Sequence, residues 1–238
     1  MEESTATNRD RGMPQGSEAE RLLDLYRRLY EAYGPQGWWP AQSPFEVMVG
    51  AILTQAAAWS NVERAIERLR AAGALSPQAI LALPQEELAA LVRPAGYFNA
   101  KARKLKALCR LIVEGFGGDV TAMLGHDPEE LRKVLLDTYG IGPETADSIL
   151  LYAAGRPYFV VDAYTVRLFR RLGMGPPSDR YHDWQAFFVA RLPRDAALYN
   201  EFHALIVRHS KERCRARPRC LGCPVLEMCP TGQGQLST

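Results

Sequence analysis

Residues 135–166 read LLDTYGIGPETADSILLYAAGRPYFVVDAYTV, and Gly140-Ile141-Gly142-Pro143 at their centre sits between two helical patterns. Two glycines flanking one aliphatic residue allow a tight helix-to-helix turn, with Ile141 free to plug the core between the helices. Backbone N–H groups at the start of the helix opened by Pro143 then face outward, and the helix dipole makes them a receptor for an anion such as a phosphate oxygen. About twenty residues on, the Gly155-Arg156-Pro157 loop leads into apolar Tyr158–Val161 and then Asp162, placed as the N-cap of a helix over Ala163–Leu172. A carboxylate pinned at a helix start stays ionised and oriented, which suits it to stabilise a developing cation or to activate water.

Outward from this segment the chain is helical throughout. Leu22, Leu25, Leu29 and Tyr33 share one face of a helix that starts at Glu18 and ends at Gly34-Pro35. Ser43, Pro44 and Glu46 read as N-cap, first helical position and capping acid of a helix through Gln55. Further helices are predicted over Ser60–Ala72, Ser76–Leu83, Gln85–Val92, Ala100–Phe116, Pro128–Thr138, Pro143–Gly155, Trp184–Ala190 and Asp195–Cys214, with breaks at Gly, Pro or Asn. Only Tyr158–Val161 is β-like and it is too short for a sheet, so the fold class is all-α, without a solenoid period. Residues 1–16 are polar and aperiodic and read as a flexible tail.

Composition sets the outer bounds. The 238 residues, 47% hydrophobic and 24% charged, suffice for one large or two small packed domains. No apolar run approaches the roughly 20 residues of a membrane span, and the start MEES lacks a secretory leader, which predicts a soluble cytoplasmic protein with no membrane partner. Lys plus Arg exceed Asp plus Glu by only 29 to 27, so any basic footprint must be local. One such group is Arg208, Lys211, Arg213, Arg215, Arg217 and Arg219 against Glu212 alone. A second is Arg93, Lys101, Arg103, Lys104, Lys106 and Arg110. Either can serve a nucleic-acid backbone or simply a solvated face.

Four of the five cysteines form Cys214-x5-Cys220-x2-Cys223-x5-Cys229, and Cys109 stands apart. A thiolate-only set suits tetrahedral zinc or a [4Fe-4S] cluster. A zinc ribbon presents two Cys-x2-Cys knuckles; here there is one, with wider gaps on both sides, which favours iron–sulfur in a structural role.

The hairpin Tyr139–Ala146, the Gly/Pro loop, Asp162 and the four cysteines, in this order, resemble the helix-hairpin-helix DNA glycosylase superfamily of endonuclease III type. The resemblance covers roughly Trp38–Cys229, although the family's first cysteine gap usually holds six residues and this one holds five. It implies two helical domains with a cleft between them: a six-helix barrel-like domain containing the hairpin over 38–156, and a cluster domain built from 17–37 and 157–238. It also implies a double-stranded DNA partner containing a damaged base, at the nucleoid, with no obligate protein partner. Gly140, Ile141 and Gly142 then grip the DNA backbone, Gln55 fills the gap left by a flipped base, and Tyr97 is the opposite-strand wedge.

At Glu144 the resemblance breaks informatively. In bifunctional members that position is a lysine that attacks the deoxyribose carbon, and a carboxylate cannot form an imine. The expectation is a monofunctional glycosylase in which water guided by Asp162 displaces the base. Trp38-Trp39-Pro40, followed by the Ile52-Leu53-Thr54-Gln55 helix, resembles an endonuclease III-like branch that excises 3-methyladenine, a cationic base attracted to indole faces such as those of Trp38, Trp39 and Trp59. The alternatives are an oxidised-pyrimidine glycosylase with AP-lyase activity and a DNA-damage-binding protein that performs no cleavage.

Overall fold

A computed structural model describes residues 17–237, so the tail at 1–16 lies outside the described residues. The described chain is all helical, without a strand. The helices are α1 (Glu18–Tyr33), α2 (Pro44–Leu53), α3 (Trp59–Ala71), α4 (Pro77–Ala82), α5 (Gln85–Leu91), α6 (Phe98–Arg110), α7 (Val120–Leu124), α8 (Pro128–Asp137), α9 (Pro143–Ser148), α10 (Ala163–Arg171), α11 (Tyr181–Val189), α12 (Ala196–Glu212) and α13 (Pro230–Leu236). Among them α7 and α13 were not foreseen, and α11 starts at Tyr181 rather than Trp184. The apolar segment Tyr158–Val161 is extended but pairs with no strand among the described residues.

Two hydrophobic cores organise these helices. In the first, Met48 and Ile52 of α2 meet Val62 and Leu69 of α3, Leu105 and Leu108 of α6, and Leu131 and Leu135 of α8. In the second, Leu22, Leu25 and Leu29 of α1 pack with Phe159, Phe169 of α10, Phe188 of α11, and Phe202 and Leu205 of α12. Each fully buried Leu or Phe contributes about 2 kcal/mol of transfer free energy. The Phe159 and Phe188 rings stack at 4.0 Å.

The two cores meet at a π-turn. After α9 the backbone widens into a π-helical turn over Ile149–Ala153, in which Leu150 enters the first core and Leu151 the second. Such turns insert a residue into the helical register and re-aim the side chains around it. Tyr152 is thereby placed on the seam.

Beside the seam, α9 is locked by a buried ion pair. Asp147, with no exposed surface, accepts from Arg132 of α8 at 2.6 and 3.2 Å and from Gln185 of α11 at 2.7 Å. The same Gln185 amide donates to the Phe159 carbonyl at 2.9 Å. One carboxylate thus ties the hairpin helices to the second core.

Candidate functional site

The hairpin turn is shaped as its glycines dictate. Gly140 has φ +82°, and a Cβ there would fall 2.3 Å from Lys104 Cγ, so only glycine fits. Ile141 is buried in the first core, and its N–H donates to the Thr138 carbonyl at 3.1 Å. Gly142 begins α9 without any side-chain cap and lies exposed, with Pro143 at the first helical position.

Gln55 is tied to this turn. Its Nε2 donates to the Gly140 carbonyl at 3.0 Å and to Thr145 Oγ1 at 2.9 Å, while Lys104 Nζ donates to its Oε1 at 2.5 Å. Residues Ala51, Thr54, Gln55, Glu144, Thr145 and Ser148 line a pocket of about 250 Å³. Among the described residues two non-glycines have left-handed φ: Ala56, which also lines this pocket, at 51°, and Tyr97, the N-cap of α6, at 44°. Such conformations cost of order 1 kcal/mol each and concentrate where a loop is held for a purpose. Tyr97 is 75% exposed.

Asp162 caps α10. Its Oδ1 accepts from the Thr165 N–H at 2.7 Å and from Thr165 Oγ1 at 2.9 Å, which leaves Oδ2 uncommitted to the helix. Oδ2 lies 3.6 Å from His203 Nε2, and the carboxylate keeps 15% of its side-chain surface exposed. Burial pushes this carboxyl up, but the His203 ring and the Thr165 donors outweigh it and hold it below the usual range. Glu144 behaves oppositely: its surroundings and the nearby negative Asp162 raise it, with His203 only partly compensating.

Three of the four tryptophans pack into one cluster. Trp38 and Trp39 lie 5.0 Å apart, Trp38 and Trp59 5.0 Å, and Trp39 and Trp59 5.4 Å, each residue half-buried, with Pro40 exposed beside them. Trp39 lies flush on Gly50 of α2, where an added Cβ would meet its Cζ2 at 3.0 Å. From Trp39 the contacts continue across the seam: its ring lies 5.3 Å from that of Tyr152, and the Tyr152 hydroxyl is 2.5 Å from His203 Nδ1. The tryptophan cluster and Asp162 are therefore joined through two side chains that sequence reading missed. The available signal was a titratable His203 inside the apolar run Phe202–Ile206.

A family profile for the HhH-GPD superfamily of base excision DNA repair proteins matches residues 49–193. The chain belongs to the HhH-GPD superfamily. It is 46% identical over 211 residues to MJ1434 of Methanocaldococcus jannaschii, a proposed DNA repair glycosylase, covering 88% of this chain and 96% of that one. It is 29% identical over 192 residues to endonuclease III of Bacillus subtilis, covering 80% and 83% of the two chains. Among solved structures, a non-covalent endonuclease III–DNA complex superposes with a TM-score of 0.80 at 22% identity, over 92% of this chain and 99% of that one. The Helicobacter pylori 3-methyladenine DNA glycosylase MagIII, bound to 1,N6-ethenoadenine, matches with a TM-score of 0.68 at 30% identity, over 82% and 96%.

In this HhH-GPD chain the second basic group is partly internal. Lys101, expected on a surface, is 2% exposed and donates to the carbonyls of Leu53 at 2.9 Å and Ala95 at 2.7 Å. Burial, with Lys104 nearby, pulls its ammonium down to about 8. It is a strut between the end of α2 and the loop before α6, because four methylenes carry the amine to carbonyls a short turn leaves unpaired. Lys106 likewise donates to the Leu83 carbonyl at 2.5 Å. Arg103 lies over the exposed Tyr139 ring at 5.8 Å, and Arg215, Arg217 and Arg219 are exposed.

Cys214, Cys220, Cys223 and Cys229 line one cavity, and Cys109 is buried in the first core. Arg171 donates to Cys214 Sγ at 3.2 Å and to the Arg215 and Ala216 carbonyls at 2.6 and 3.0 Å, clamping the loop to α10. The Gly232 N–H donates to Cys229 Sγ at 3.3 Å, and a Cβ at Gly232 would stand 3.5 and 3.6 Å from the sulfurs of Cys229 and Cys220. Among the described residues no three His, Cys, Asp or Glu side chains converge as a single bound ion requires. No helix among the described residues is long and apolar enough to cross a membrane.

Proposed function

We propose that the protein is a monofunctional DNA N-glycosylase acting on alkylated purines such as 3-methyladenine. The observation that carries this reading is the position of Asp162: a carboxylate kept ionised at a helix start, with one oxygen committed to the cap and the other free, joined to a cage of indoles. Water attacks the anomeric carbon of the flipped nucleotide as the N-glycosidic bond breaks. The base leaves with the bonding electron pair, and the water proton passes to Asp162 Oδ2. A cationic alkylpurine is a good leaving group and is attracted to indole faces, so a cage and one carboxylate suffice. Glu144 supports the absence of AP-lyase chemistry, and Lys101 and Lys104 have their amines bonded to carbonyl oxygens and to Gln55 respectively.

In this reading Gly140, Ile141 and Gly142 receive a backbone phosphate, Tyr97 is the wedge, and Gln55 lets go of the hairpin to fill the vacated stack. The two cores support domains over 38–156 and over 17–37 with 157–238. Cys214, Cys220, Cys223 and Cys229 would hold a [4Fe-4S] cluster. Thiols spread around the walls of a cavity, with N–H donors aimed at two of them, suit a cluster better than one zinc ion. When bound, it would close the C-terminal loop. Iron with no zinc in the purified protein is the expected result, and stoichiometric zinc without iron overturns it.

The substrate test is product analysis on duplexes carrying 3-methyladenine, 7-methylguanine, thymine glycol, or uracil opposite guanine. Free alkylpurine is expected to appear fastest. Release of thymine glycol alone overturns the alkylpurine assignment.

A further inference from the structure

His203 sits between the tryptophan cage and Asp162, yet the reaction as derived above does not use it. It projects from α12 with 7% of its surface exposed. Tyr152 approaches its Nδ1 at 2.5 Å and Asp162 Oδ2 faces its Nε2 at 3.6 Å. Burial, with Asp162 and Glu144 adding to it, raises the Tyr152 phenol well above its ordinary value, so the hydroxyl keeps its proton. Taking the phenol as donor and Nδ1 as acceptor assigns the imidazole proton to Nε2, the nitrogen turned toward Asp162.

That nitrogen is buried and has no hydrogen-bond partner. A buried N–H left unpaired forfeits its hydration without compensation, so its retention beside Asp162 calls for a reason. The gap to Oδ2 is only a few tenths of an ångström beyond a hydrogen bond, and Oδ2 is the Asp162 oxygen that Thr165 leaves without a donor.

We propose that His203 is a positioning residue of base excision: in the DNA complex its Nε2–H closes onto Asp162 Oδ2 and aims that oxygen at the attacking water, while Tyr152 fixes the imidazole tautomer. This rests on the reading of Asp162 as the catalytic carboxylate. Tyr152 also packs against Trp39, so the ring that orients His203 is itself braced by the tryptophan cluster. The titratable groups facing His203 are Tyr152 from the π-turn, Asp162 ahead of α10 and Glu144 of α9. Helices α1 and α10 pack on α12 elsewhere, through Tyr26 on Phe202, Tyr33 on His209, and Arg167 on the Ser210 carbonyl.

The test is single-turnover base release from whichever duplex of the four above the wild type processes fastest, measured across pH with DNA affinity and thermal midpoint alongside. His203→Ala is expected to slow release about 100-fold with DNA affinity changed less than about threefold. It should also move the acid limb of the rate profile to higher pH, because Asp162 loses the ring that helps keep it ionised. His203→Gln, which keeps an N–H where Nε2 stands, should recover about tenfold of the loss, and Tyr152→Phe should lose about tenfold with the stacking on Trp39 preserved. A histidine of merely structural importance would lower the thermal midpoint of His203→Ala, leave the acid limb in place and gain nothing from glutamine, and that result overturns the proposal. Asp162→Asn separates the two levels. If it is inactive while the His203 variants leave the acid limb unmoved, the positioning role alone fails. Full activity of Asp162→Asn, or release from no duplex by the wild type, brings down both.

Discussion

The starts of α9 and α10 both bring a carboxylate to the seam between the cores, Glu144 at the second residue of one helix and Asp162 at the cap of the other. Both feel the positive end of a helix dipole, which favours the ionised acid. Their proton affinities nevertheless move in opposite directions, Glu144 upward and Asp162 downward. Asp162 is answered by two Thr165 donors and the His203 ring. Glu144, exposed at the second position of α9, is raised by partial desolvation and by the negative Asp162, with His203 opposing. Local donors therefore outweigh the dipole, and a site with two carboxylates assigns the working charge to the one that is better answered.

The largest effect expected from this contrast is on turnover. Asp162→Asn should reduce base release about 1,000-fold, equivalent to about 4 kcal/mol of transition-state stabilisation, with DNA affinity largely retained. Glu144→Gln should stay within a few-fold of wild type; a collapse of turnover in Glu144→Gln alone would invert the assignment. Next comes the frame beneath Glu144. Asp147→Ala leaves Arg132 facing an apolar seam without its partner, and should cost about 3 kcal/mol in denaturant unfolding, with weaker DNA binding as α9 loosens.

The smallest effect is the pH dependence of stability, and its two halves have opposite signs. The depressed Asp162 carboxyl contributes stability above its unfolded value that is lost as pH falls through its lower folded value. The raised Glu144 carboxyl does the reverse: ionising it disfavours the fold, a cost absent in acid and growing as pH rises from the unfolded value through the folded one. At neutral pH Asp162→Asn should melt below wild type and Glu144→Gln slightly above it, both gaps closing on acidification. Parallel midpoint curves for the three proteins would remove the contrast.

Much of this was legible in local patterns. Gly-Ile-Gly-Pro announces its turn because only glycine tolerates φ +82° under the Lys104 side chain, and Asp162 announces a cap because a short acid before a helix accepts its first N–H groups. The missed parts depend on contacts distant in sequence. Lys101 resembles its exposed neighbours in composition, and its burial follows from unpaired carbonyls of Leu53 and Ala95 that no periodicity reveals. Tyr152 and His203, 51 residues apart, read as ordinary core side chains until the π-turn sets them on the seam. Helices α7 and α13, of 5 and 7 residues, are too short for a helical period to register.

The central claim is that a carboxylate-guided water, and no protein amine, displaces the base. Borohydride reduction during turnover on the processed duplex tests it most directly. The account predicts release of free base, an intact abasic strand and no covalent protein–DNA adduct. A trapped adduct at the abasic carbon, with strand scission in the unreduced reaction, would contradict it.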